Sequence, residues 1–183
     1  MLSKNFYSRP TLKVAQELLG CFLVRKYRGK VWCAMITETE AYFGEDDLAS
    51  HASRGRTPRT EIMYGDPGHA YIYMIYGMYY CLNIVTEKKD FPAAVLIRGV
   101  KIEGIDHKKT NGPGKLCRFF KIDKKLNGWD ITKGEKLWIE SRDSKIELPK
   151  IKKSKRIGVD YAKHCKEYLW RFSLCHPEQS PIG

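Results

Sequence analysis

The sequence predicts a mixed α/β (α+β) domain built on a mainly antiparallel sheet, and three observations carry that expectation. Apolar, β-rich segments recur along the chain and are joined by short connections that contain glycine. Helical patterns are few, and a proline stands near the start of the two longer ones. No linker, low-complexity block or internal repeat divides the 183 residues, so a single domain over 1–183 is expected.

The elements follow in order. Pro10, the apolar positions Leu12, Val14, Leu18 and Leu19, and Gly20 as a stop mark a first helix with proline in its opening turn. Segments 21–27 and 31–42 read as strands joined across Arg28-Gly29-Lys30. Segment 43–67 is polar and rich in Gly, Arg and Asp, a loop with a short helix expected near 46–50. Residues 69–85 hold two β-rich runs broken only at Gly77, the pattern of a protruding hairpin with Tyr76-Gly77 at its tip. Segment 93–100 is another strand, Gly112-Pro113-Gly114 opens a helix to about Phe120, and 137–140 and 170–174 are further strands. Lys150 to Arg156 is a basic run, either a solvated face or a phosphate-contacting one, and a loose tail is expected after His176.

Charge narrows the partners. Lys and Arg number 33 against 21 Asp and Glu, a net +12, which attracts polyanions by counterion release and long-range steering. No apolar stretch approaches the roughly 20 residues of a membrane span, and the N-terminal residues lack a secretory pattern, so a cytoplasmic protein is expected, nucleoid-associated in a prokaryote. The six cysteines form no C-x-x-C pair and read as buried reduced thiols. His164-Cys165 and Cys175-His176 fit no zinc spacing, and no metal is expected.

Three segments carry candidate chemistry. In a regular strand Glu38, Glu40 and Tyr42 share one face and Thr37, Thr39 and Ala41 the other, which sets a carboxylate beside an aromatic ring. In the hairpin Tyr71, Tyr73 and Ile75 share one face, and Tyr76 at the tip cannot be buried by its own strands. An exposed aromatic on a basic protein suits a wedge between stacked bases. Between these elements lies His51-Ala52-Ser53-Arg54-Gly55-Arg56-Thr57-Pro58-Arg59, whose guanidinium forks suit phosphate oxygens.

Taken together, Thr37-Glu38-Thr39-Glu40-Ala41-Tyr42, His51, Arg56-Thr57-Pro58-Arg59, the run from Tyr71 to Met78, Asn83, Val95-Leu96-Ile97-Arg98 and Gly112-Pro113-Gly114-Lys115-Leu116 resemble, in the same order, the alkyladenine (methylpurine) DNA glycosylases. The similarity runs from the first helix past Arg156-Ile157-Gly158-Val159. It implies a curved sheet with flanking helices. It also implies roles: Glu40 deprotonates the water that attacks the sugar, and Arg98 helps position that water and the phosphate backbone. Tyr42 covers one face of the extruded base, His51 and Tyr73 the other, with Asn83 at the pocket floor. Tyr76 fills the gap left in the duplex. Arg54, Arg56, Arg59 and Lys115 are the expected backbone contacts.

These roles suit the chemistry. A base must leave the stack before its glycosidic bond can be reached, and aromatic stacking offsets that cost. Cleavage through an oxocarbenium-like sugar favours an anionic carboxylate that also accepts the water's proton. No lysine nucleophile stands among the matched positions, so a monofunctional enzyme that leaves an abasic site is expected, working as a monomer on duplex DNA with damaged purines and without a cofactor. Two departures from the family pattern stand out: the connection 99–111 is short, and Thr60 replaces a common Asn. The rival reading is a non-catalytic minor-groove DNA- or RNA-binding protein that uses the same basic face.

Overall fold

The structure, a computed structural model, describes residues 1–143 and 147–175. The expected tail after His176 lies outside the described residues. Two short helices, α1 (Lys4–Tyr7) and α2 (Thr11–Glu17), precede the hairpin β1 (Phe22–Tyr27) and β2 (Lys30–Phe43). Pro10 stands at the N-cap of α2, and the orphan amide of Thr11 donates to Glu87 Oε1 at 2.6 Å, a tertiary cap in place of a local one. Gly20 ends the helical segment with φ 80°, where an added Cβ would collide with the Leu148 side chain.

The β1–β2 turn is Arg28-Gly29, both at positive φ, the backbone that matches strand twist in a two-residue hairpin. The polar loop that follows winds into 3₁₀ turns at His51–Arg54 and Glu61–Tyr64, not into a helix at 46–50. The reason is local competition. Asp47 accepts from the Ala49 amide through its side chain and from the Ser50 amide through its carbonyl, and the Ser50 hydroxyl then caps the turn beginning at His51.

The second hairpin is β3 (Ala70–Ile75) and β4 (Tyr79–Val85). Tyr76 and Gly77 both have positive φ, and Met78 N–H donates to Ile75 C=O at 3.2 Å, so the tip is the expected Tyr76-Gly77 turn. Strand β5 (Ala93–Lys101), helix α3 (Pro113–Phe119) with proline in its first turn, and strands β6 (Leu137–Glu140), β7 (Ile151–Ser154) and β8 (Arg171–Leu174) complete the chain.

All pairings between strands are antiparallel, in the order β3-β4-β5-β2-β1-β6, with β8 on β2 and β7 on β8. The long β2 is the axis. Its first half pairs with β1, its Glu38–Glu40 stretch pairs with β8, and β5 runs along the other edge. Register shifts on either side of Glu38 mark a bulge there; such a bulge bends a strand and raises its twist, and the sheet curls around β2. Val14, Ala15, Leu18 and Leu19 of the α2 segment pack with Ile36, Leu82, Val95, Ile97, Leu116 and Phe120 in one core. Each fully buried Leu or Ile there contributes about 1.5–3 kcal/mol.

Two expectations need correcting. Cys21, Cys81, Cys117 and Cys165 are buried thiols, but Cys33 and Cys175 are exposed. Cys33 lies in the outer half of β2, where Ala34 and Ile36 face the core and alternation turns Cys33 outward. The basic run at 150–156 is not one surface: Lys152, Lys153 and Lys155 are exposed, whereas Arg156 is buried.

Candidate active site

Glu40 lies in the second half of β2, opposite Leu96 of β5 on one side and Arg171 of β8 on the other. It is fully buried. Its carboxylate is held from two directions: Tyr42 O–H donates to Oε2 at 2.8 Å, and Ile157 N–H donates to Oε1 at 2.9 Å. The Arg98 guanidinium stands 3.6 Å from Oε1, an ion-pair distance rather than a hydrogen bond. A carboxylate offers about four lone-pair sites, so this one keeps acceptor capacity for a further donor. Burial raises the Glu40 pKa above the ordinary carboxylate range, and Arg98, the Ile157 amide and the Tyr42 hydroxyl pull it back.

Next to Glu40, the bulge at Glu38 aims a second carboxylate at the same arginine. Arg98 Nε donates to Glu38 Oε1 at 3.2 Å, and Arg171 Nη1 donates to the same oxygen at 2.9 Å. Gly99 permits the close approach, since a Cβ there would lie 3.3 Å from the Glu38 Cβ. Arg98 therefore keeps its orientation through Glu38 while its other nitrogen faces Glu40.

Over this base lies a pocket of about 290 Å³. Tyr42, His51, Tyr73, Tyr76, Asn83 and Arg98, all singled out in the sequence, line it together. Glu40 lies one layer behind its wall. Tyr42 forms one side, and the His51–Tyr73 pair, edge to face with centroids 4.5 Å apart, is another part of the wall. His51 Nδ1 shares a hydrogen bond of 2.8 Å with the Tyr71 hydroxyl. Burial, then Arg59 and Arg54, lowers the His51 pKa to about 4, so its ring is neutral at pH 7. Asn83 is buried and donates to the Tyr71 carbonyl at 3.1 Å. Cys81, also in the lining, has its thiol pushed up to about 11 by burial. Tyr76 reaches out from the pocket edge, 86% exposed.

The expected backbone cations separate into three places. Arg54 and Arg59 line a neighbouring hollow of about 340 Å³ that shares His51 and Tyr161 with the pocket. Arg56 instead turns to Glu61 (2.7 and 2.8 Å) and Asp90 (3.0 Å). Lys115 lies on α3, outside both hollows. Thr60 serves its loop, accepting from the Thr57 amide at 2.8 Å and donating to the Gly55 carbonyl at 3.0 Å.

Sequence reasoning missed Arg156. Its guanidinium pairs with both Asp47 oxygens (2.6 and 2.8 Å), donates to the carbonyls of Ala41 (2.9 Å) and Cys165 (3.1 Å), and lies 4.7 Å behind the Tyr42 ring and 4.9 Å from Trp170. The next residue supplies the Ile157 amide to Glu40. Both direct donors to the carboxylate thus lean on Arg156. The only signal available was Arg156-Ile157-Gly158-Val159 in the family resemblance, since composition marks this run merely as basic.

A buried carboxylate behind an aromatic pocket, with arginines beside it on a basic protein, suits hydrolysis within a polyanion such as nucleic acid. Residues 5–177 match the family model described as methylpurine-DNA glycosylase. Relatives named "Putative 3-methyladenine DNA glycosylase" come from Methanocella arvoryzae (46% identical, covering 99% of this chain and 98% of the relative), Clostridium perfringens (46%, 94% and 95%) and Ehrlichia chaffeensis (46%, 95% and 93%). The chain belongs to the methylpurine-DNA glycosylase family; it is a DNA N-glycosylase, and DNA is its substrate. The rival reading of a non-catalytic binding protein is set aside on the same ground.

Proposed function

We propose that the protein extrudes alkylated or deaminated purines from duplex DNA into the aromatic pocket and hydrolyses the glycosidic bond with a water activated by Glu40. The observation that carries this reading is the state of Glu40: fully buried beside the pocket, fixed by two directed hydrogen bonds, with acceptor capacity left over. Held in this way, the carboxylate orients a water, takes its proton as the oxygen meets the sugar carbon, and stabilises positive charge on the sugar as the base departs. Arg98 steadies the water and offsets the burial cost of the anion.

Tyr42 and the His51–Tyr73 pair stack on the extruded base, with roughly 1–3 kcal/mol of stacking per base offsetting the cost of unstacking. Purines alkylated at N3 or N7 carry positive charge, which makes them better leaving groups and adds cation–π attraction to the tyrosine faces. Asn83 reads the base edge at the floor. Tyr76, exposed on a turn that its own strands cannot cover, takes the place of the missing base in the stack. Arg54 and Arg59 hold phosphates beside the pocket, whereas Arg56 has its fork occupied by Glu61 and Asp90 and acts as a strut.

No lysine is among the described residues that line the pocket, which supports direct hydrolysis over a Schiff-base route. The test is a duplex carrying a single ethenoadenine or hypoxanthine, incubated with the protein and heated in alkali. Strand scission is expected with the parent and not with Glu40→Gln, which still binds the duplex. Unchanged scission by Glu40→Gln refutes the role of Glu40, and a borohydride-trapped covalent adduct with DNA refutes the monofunctional route.

A further inference from the structure

Away from the pocket, the molecule gathers a second set of cations that hydrolysis does not use. Lys115 and Arg118 stand three residues apart on α3, on one side of the helix and about 4.5 Å apart along its axis, and Lys121, past the helix end at φ 53°, lines the same hollow. Lys108 and Lys109, from the 3₁₀ turn His107–Lys109, stand beside them. The five line one shallow hollow of about 520 Å³, floored by Trp32 and Phe119, and no carboxylate lines it. All five are exposed, and none is in an ion pair among the described residues. Elsewhere on the surface Lys4, Arg9, Arg56 and Lys155 are each neutralised by an acid.

This hollow is rigidly joined to the hairpin that carries Tyr76. A second hollow shares Arg118 and Lys121 with it and reaches Met78 and Tyr79 next to the tip. The Tyr79 ring lies against Gly114, where a Cβ would come within 2.9 Å, so β4 and the backbone of α3 are in direct contact. The short connection 99–111 folds back on β5 through a Gly99–Asn111 bridge, and Gly112 N–H donates to the Arg98 carbonyl at 2.9 Å. Wedge, active-site arginine and the five cations therefore sit on one frame.

We infer that the α3 face is a phosphate track for the duplex flank on the side of the wedge away from the catalytic pocket. The occupant follows from charge complementarity: five exposed cations, none in an ion pair among the described residues, line one hollow anchored to the hairpin that carries Tyr76, and such a cluster fits the phosphates of one strand. The reading rests on the proposed function for the wedge role of Tyr76, whereas DNA as the polyanion follows from the family. It extends the expected contact at Lys115 to Lys108, Lys109, Arg118 and Lys121.

Binding to an undamaged duplex tests it, because the track touches no base and excision plays no part. Each phosphate contact contributes about 0.9 to the slope of log affinity against log salt, so Lys109→Ala/Lys121→Ala is expected to lower that slope by about 1.8. Lys152→Ala/Lys153→Ala removes the same charge from β7 and is expected to leave it unchanged. In addition, shortening one chosen flank of a lesion-containing duplex to three base pairs is expected to weaken the parent and not the α3 double variant. Equal slopes for the two double variants, or equal sensitivity of parent and variant to the shortened flank, overturn the track. Absent scission together with a lowered slope overturns the proposed function and leaves the track standing.

Discussion

Replacing Arg156 separates its packing role from its hold on Glu40. Arg156→Met strands the buried Asp47 carboxylate and removes donors from the Ala41 and Cys165 carbonyls. Breaking one side of a buried pair costs about 3–5 kcal/mol. At roughly 2–4 °C per kcal/mol for a chain of this size, the melting temperature falls by about 6–20 °C. Arg156→Met/Asp47→Leu leaves no charge stranded and recovers most of that loss. Catalysis does not recover with it, because the Ile157 amide and the Tyr42 ring have lost the group they lean on. The assay is single-turnover excision against pH. In the proposed mechanism Glu40 works as its anion, so the rate is expected to rise as pH climbs through its pKa, which burial already holds above the ordinary range. Weakening the Ile157 and Tyr42 hydrogen bonds removes two of the influences that lower it, so the acid limb of the double variant moves to higher pH and its plateau falls. A double variant with the parent's plateau and an unmoved acid limb refutes the argument and leaves Arg156 a packing residue.

Three further outcomes are expected. Because the folded protein raises the Glu40 pKa, the neutral acid is the better-tolerated form: the stability this group contributes is present at low pH and lost as pH rises through the folded pKa. Glu40→Gln therefore melts higher than the parent at pH 8 while losing excision, and a lower melting point contradicts the burial penalty. His51, with a pKa near 4, shows no imidazole titration between pH 6 and 7 by NMR; a midpoint near 6.5 means that its ring is not enclosed as described. Tyr76→Ala weakens lesion binding without changing the salt slope or the melting point, whereas Arg59→Ala lowers the slope by about one; a destabilised Tyr76→Ala identifies a packing residue.

Much of the site was legible because strand alternation is a local rule. Glu40 and Tyr42 share a face as the period of two requires and are joined by a hydrogen bond, whereas Glu38 stands at the bulge, which the pattern did not reveal, and reaches Arg98 on the same side. The hairpin tip was legible because positive φ at Tyr76-Gly77 follows from the break in the β pattern at glycine. The expected helix at 46–50 failed on side-chain competition from Asp47 and Ser50, which helix-forming pattern does not weigh. The grip on Arg56 was hidden as well, since Asp90 lies 34 positions away in sequence.

By itself, the sequence determined every described strand but β7, which it showed only as a basic run, and with them the projecting tip, the basic character and the family. Only the tertiary structure decided which cations are used up internally and which face outward. Lys152, Lys153, Lys155 and Arg156 look alike in a row, yet Arg156 alone is drawn inside, by a carboxylate 109 positions earlier and two aromatic rings. A charge in a linear sequence carries no record of its partner. Burial and pairing arise when distant segments meet, and in this fold they meet behind Tyr42 and Glu40.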